Sequence, residues 1–141
     1  MKLYSHRIIY LDEVDSTNLY AEKLIEAGRF REGTVVAARY QSQGKGQGSK
    51  RWESQAGKNI LMTILLKPAF LPASSQFLLN KAITLAACDF LSTLGVSPEI
   101  KWPNDLYAER RKAGGILITH RVGGEVLTAT IAGIGINLNQ S

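Results

Sequence analysis

A chain of 141 residues has the length of one ordinary domain. Apolar residues make up 45% of it and charged residues 21%, which excludes a disordered chain, a collagen and a coiled coil. The net charge of +5 is uneven: residues 1–38 hold five Lys/Arg against six Asp/Glu, and residues 39–141 hold twelve against six.

The longest clean apolar run, Ile60 to Leu66, is interrupted by Thr63 and is far short of the roughly 18 residues that span a bilayer. The opening MKLYSHRIIYLDE lacks the apolar core of a secretory signal, so a cytoplasmic address is expected. One cysteine, Cys88, excludes an internal disulfide and a multi-cysteine metal site.

In chain order, Arg7–Leu11 reads as a short strand. Asp15, Ser16, Thr17 and Asn18 offer N-caps for a helix that runs to Gly28. Thr34–Tyr40 is rich in β-branched and small residues and predicts a buried strand. Gln41–Arg51 is a polar, glycine-bearing loop, and Asn59–Leu66 is a second apolar strand. Ser74 or Ser75 caps the longest helix, Gln76 to Leu94, which Gly95 stops. Its apolar residues cover more than one face, so it is expected to be largely buried. Glu99–Trp102 is a short strand, turned by Pro103-Asn104-Asp105. Gly115–Val122 and Glu125–Ile136 are strands joined through Gly123-Gly124. Five or six strands with two irregularly placed helices predict an α+β fold, a mixed sheet flanked by helices.

Four segments could carry chemistry. Gly44-Lys45-Gly46-Gln47-Gly48 sets three glycines at alternate positions beside Lys50 and Arg51. Such a loop presents backbone N–H groups and cations to an anion; the plain alternative is a solvated surface loop. Lys101-Trp102-Pro103-Asn104-Asp105 is a rigid turn with polar side chains, or simply a strand-end turn. Lys112-Ala113-Gly114-Gly115 follows Arg110 and Arg111, and it places a cation before two glycines that leave room beside a strand. Gly133-Ile134-Gly135-Ile136-Asn137 leaves one strand face bare, for a ligand or for tight packing. His6 and His120 lack partners at metal spacing and read as surface or satisfied histidines; Cys88 reads as a buried small hydrophobe.

The order of these segments after Asp15-Ser16-Thr17-Asn18 resembles the biotin protein ligases, from about Val14 to Asn139. The resemblance implies the catalytic domain of the biotin/lipoate ligase superfamily, similar to class II aminoacyl-tRNA synthetases. It implies that biotin and ATP give biotinyl-5′-AMP, and that biotin then passes to one lysine of a biotin carboxyl carrier protein, with Mg²⁺ assisting. By the same resemblance, Ser16, Thr17 and Gln41 would hold the ureido ring, and Asn18 and Gly115 would also contact biotin. Gly44, Lys45, Gly46 and Gln47 would wrap the biotin carboxylate and the adenylate. Lys50, Trp52, Asn104, Asp105 and Asn137 would take the nucleotide, Asp105 through the metal. Lys112 would bridge the biotin carboxylate and the α-phosphate as the catalytic residue. Many members carry arginines where this chain has Lys45 and Gln47; Lys45 keeps a charge without the bidentate fork, and Gln47 removes one.

The implied domain fills 1–141 incompletely, with no helix-turn-helix before Arg7 and no SH3-like C-terminal domain. DNA binding and membrane association are not expected, and a homodimer is left open. Three other readings remain: a lipoate-type ligase, a biotin-binding fragment without full turnover, and a nucleic-acid-binding module supported only by charge.

Overall fold

The structure, a computed structural model, describes residues 7–139. Seven strands and two helices follow in the order β1 (Ile8–Val14), α1 (Thr17–Glu26), β2 (Thr34–Gln41), β3 (Asn59–Leu66), α2 (Gln76–Thr93), β4 (Glu99–Lys101), β5 (Asp105–Ala108), β6 (Arg111–Gly123) and β7 (Val126–Asn137). They form one mixed sheet in the order β1-β2-β3-β7-β6-β5-β4. β1 and β2 run parallel, as a strand–helix–strand crossover requires, and the remaining neighbours are antiparallel.

Alternation along the strands sorts the core into two layers. Val36, Leu65 and Ile131, on the adjacent strands β2, β3 and β7, meet Ala21 and Leu24 of α1 on one face. On the other, Ile116, Ile134 and Ile136 meet Ala87 and Leu91 of α2. Ser16 caps α1, its hydroxyl accepting from the Leu19 amide at 3.5 Å.

Several expectations are corrected. The sheet has seven strands, because Asp105–Ala108 pairs with both Glu99–Lys101 and β6. β6 begins at Arg111, so Lys112 and Gly114 lie within the strand and not before it. Neither Ser74 nor Ser75 caps α2 with its side chain; a 3₁₀ turn over Ala73–Ser75 leads in. α2 is not largely buried: Phe77, Leu78, Leu85, Phe90 and Leu94 are exposed, and only Thr84, Ala87 and Leu91 are buried. A helix lays one face on a flat sheet, and the apolar residues on its other faces have nothing to meet. Cys88 is half-buried against the α2 core and not fully buried as expected; burial, aided by Asp89, pushes its thiol pKa up. His6 lies outside the described residues.

His120 is a satisfied histidine that ties α2 to the sheet. Its Nε2 donates to Asn80 Oδ1 at 2.7 Å, and its Nδ1 accepts from the Thr130 hydroxyl at 2.8 Å. Burial lowers its pKa from 6.5, so the fold favours the neutral ring. The unfolded chain takes up a proton first as pH falls, so this contribution is complete above about pH 6.5 and is lost as pH drops below it. Denaturant midpoints between pH 7.5 and 5 are expected to fall more steeply for the wild type than for His120→Gln; parallel curves would contradict this.

The β5–β6 turn is strained. Glu109 and Arg110 hold φ of 50° and 64° in a two-residue connection between Ala108 and Arg111, where Asn-Gly is preferred. Left-handed backbone costs about 1–2 kcal/mol per non-glycine residue. Glu109→Asn with Arg110→Gly is therefore expected to stabilise the chain by about 1–2 kcal/mol, read as a rise of several degrees in Tm.

Candidate active site

α1 covers only part of its face of the sheet. Beyond its N-terminus lies a cleft over β3, β7 and β6, with a cavity of about 100 Å³ at its heart and an outer part that opens to solvent.

One end is polar and uncharged. Gln41, at the end of β2, reaches the first turn of α1, and its Oε1 accepts from the Thr17 amide at 2.8 Å and the Thr17 hydroxyl at 3.0 Å. The Ser16 amide donates to Asp15 Oδ1 at 2.7 Å. Asn18 Nδ2 reaches the Leu117 carbonyl at 3.4 Å, and its amide fills the space over Gly133. Ser16, Thr17, Asn18 and Gln41 are buried, so their polar atoms must be satisfied by one another or by a ligand.

The middle is occupied by Trp52. A Cβ at Gly135 would stand 2.6 Å from Trp52 Cε2, and one at Gly115 would stand 2.9 Å from Cζ3. The alternating glycines therefore make room first for the chain's own indole, and of the two readings of that bare strand face it is tight packing that the structure shows. Trp52 Nε1 is buried without a hydrogen-bond partner.

The loop that carries Trp52 is a small hairpin. The Trp52 amide donates to the Gly44 carbonyl and the Gly46 amide to the Lys50 carbonyl, both at 2.9 Å. Those N–H groups are spent inside the loop and do not face an anion. Gly44 lies outside the main cleft, and a side chain there would strike the Trp52 carbonyl.

The other end is charged. Lys45, Lys50, Arg51 and Lys112 line it, with Asp105 as the one carboxylate among the described lining residues. Lys112 is held from three sides. Its Nζ lies 3.2 Å from Asp105 Oδ1 and 5.3 Å from the centre of the Trp52 ring, and its carbonyl accepts from Asn137 Nδ2 at 3.1 Å. Arg110 and Arg111 do not line the cleft, so the three cations do not act as one anion site.

Most residues singled out from sequence meet here, drawn from α1, β2, the hairpin, the β4–β5 turn and β6. The polar set Ser16, Thr17, Asn18 and Gln41 and the loop residues Lys45, Gly46, Gln47, Lys50 and Trp52 all line the cleft, with Asn104, Asp105, Lys112 and Gly115 opposite. Two amides do structural work. Asn104 Nδ2 donates to the Ile116 carbonyl at 2.8 Å while the Ile116 amide returns a bond at 2.9 Å. Asn137 braces Lys112 and is absent from the lining. Sequence reading missed Thr63, whose signal is a lone hydroxyl between Leu61 and Leu65 on the buried face of β3.

The residues do not form a metal cage. Among the described residues no three His, Cys, Asp or Glu side chains group to hold an ion, and Asp105 already faces Lys112.

Residues 10–137 match the biotin/lipoate A/B protein ligase family. The chain belongs to that family. It is 34% identical over 140 residues to the bifunctional ligase/repressor BirA of Bacillus spizizenii, covering 99% of this chain and 42% of that protein. It is 35% identical over 134 residues to the biotin–[acetyl-CoA-carboxylase] ligase of Paracoccus denitrificans, covering 91% and 53%. Among solved structures, the biotin protein ligase from Aquifex aeolicus in complex with biotin and ATP superposes with a TM-score of 0.72 at 32% identity, over 95% of this chain and 53% of that one. The Helicobacter pylori biotin acetyl coenzyme A carboxylase synthetase does so with 0.72 at 25% identity, over 96% and 62%. The chain thus spans about half the length of these relatives.

Proposed function

We propose that this chain carries the biotin-activating site of a biotin protein ligase. The observation that supports it most is one cleft with a buried, uncharged hydrogen-bonding end and a cationic end, separated by Trp52. A cyclic urea needs neutral donors and acceptors, and Ser16, Thr17 and Gln41 supply them. A carboxylate meeting a triphosphate needs cations, and Lys112 and Lys45 supply them.

The biotin carboxylate oxygen attacks the α-phosphorus of ATP. A P–O bond forms, the bond to the β-phosphate oxygen breaks, and pyrophosphate leaves with that electron pair. The nucleophile is the substrate's own, so no side chain need be activated. The protein's share is to align the two anions and offset their charge as it redistributes. Mg²⁺, arriving with the polyphosphate, would supply further charge neutralisation. The acyl carbon of biotinyl-AMP is then attacked by a lysine amine of a biotin carboxyl carrier protein, and AMP departs.

No described helix is long and apolar enough to cross a membrane, and a cytoplasmic site of action remains part of this reading. Calorimetric titration with biotin and with lipoate separates the two branches of the family. Biotin uptake without lipoate uptake is expected, and the reverse would assign the chain to the lipoate branch.

A further inference from the structure

Behind the polar end of the cleft sits a hydroxyl that no part of the mechanism uses. Thr63 is fully buried in β3, opposite Gly133 of β7 and Val36 of β2. Its Oγ1 lies 2.8 Å from the Thr17 hydroxyl and 2.5 Å from Asn18 Oδ1.

The protons can be counted. Gln41 Oε1 takes the Thr17 amide and, in the arrangement described, the Thr17 hydroxyl proton as well. Thr17 Oγ1 is then free only to accept. Thr63 owns one proton and faces two acceptors, Thr17 Oγ1 and Asn18 Oδ1. It can serve one at a time.

A ligand N–H arriving at Thr17 Oγ1 replaces Thr63 as donor and releases the Thr63 proton to Asn18. A ligand carbonyl arriving there draws the Thr17 proton away from Gln41, which keeps the Thr17 amide; Thr63 then donates to Thr17. A group with both functions, as in a cyclic urea, is accommodated by rotating hydroxyls, without moving the backbone. Valine at position 63 has nearly the same shape and cannot do this. It would leave Asn18 Oδ1 without its donor in a buried site.

We propose that Thr63 is a positioning residue: it orients the Thr17 hydroxyl and the Asn18 amide for the ureido ring. The inference rests on biotin being the ligand. Thr63 does not line the cleft, so it acts through its two neighbours.

The test is calorimetric titration of wild type, Thr63→Val and Thr63→Ser with biotin, and separately with ATP, well below each variant's Tm. Thr63→Val is expected to weaken biotin about tenfold or more while ATP affinity changes less than twofold. Thr63→Ser keeps the hydroxyl and is expected to return biotin affinity to within about threefold of wild type. If Thr63 merely glues β3 to α1, Thr63→Val lowers Tm and leaves biotin affinity intact, or weakens both ligands alike; either result overturns the positioning role. Thr63→Ser binding no better than Thr63→Val also overturns it. A wild-type chain that takes up no biotin overturns the underlying reading, and this one with it.

Discussion

Replacing Lys112 with alanine is expected to slow adenylate formation about a hundred- to thousandfold, the loss seen when one preorganised donor is removed from developing charge. The ammonium needs no rearrangement to act. Asp105 at 3.2 Å, the Trp52 ring and the Asn137 bond to its backbone hold it at the charged end of the cleft. Stability should barely change, because the ion pair is partly exposed and such pairs contribute about 0–1 kcal/mol. Biotin affinity should fall far less than the rate, since Ser16, Thr17 and Gln41 remain. Single-turnover adenylation and biotin affinity on the same sample decide the matter. Near-normal adenylation would falsify the catalytic role, and lost affinity with an unchanged rate at saturation would make Lys112 a binding residue only.

Gly135→Ala is expected to be nearly as damaging, for a different reason. The new methyl would stand 2.6 Å from Trp52 Cε2, so the indole must lift off the sheet. Overpacking of this kind costs about 1–3 kcal/mol, and here it also dismantles the wall between the two ends of the cleft. Tryptophan emission should shift to the red as Trp52 meets water; Trp102, 74% exposed, contributes red emission in either state. The decisive variant adds Trp52→Phe, a smaller ring that shares the space with the methyl. If the glycine serves Trp52, the double variant regains part of the lost ligand affinity. If Gly135 instead leaves room for the ligand itself, the second substitution brings no recovery.

Where periodicity and punctuation act locally, the sequence was legible. Asn59–Leu66 is found with the expected bounds, Ser16 caps α1 as its residue type suggests, and the α+β sheet follows from the element order. The convergence of four distant motifs on one cleft was visible only through the family resemblance, because spacing along the chain does not state which loops meet. Trp52 over Gly115 and Gly135 was hidden for the same reason: a missing side chain signals a close neighbour without saying whether it is a ligand or another part of the chain. α2 shows a related limit. Its apolar residues were read as burial, but burial needs a surface to cover them, and the sheet offers one face. The resemblance assigns Asn104 and Asn137 to the nucleotide, and each also donates to a β6 carbonyl; Asn104 lines the cleft and Asn137 does not. An amide serves backbone or ligand equally well, and composition does not distinguish them.

Incubating the purified chain with biotin, ATP and Mg²⁺ and analysing the mixture by mass spectrometry tests whether this cleft activates biotin. Biotinyl-AMP and an equal amount of pyrophosphate are expected, both dependent on biotin. ATP and biotin recovered unchanged, from a folded chain at concentrations that saturate both sites, would contradict that activity.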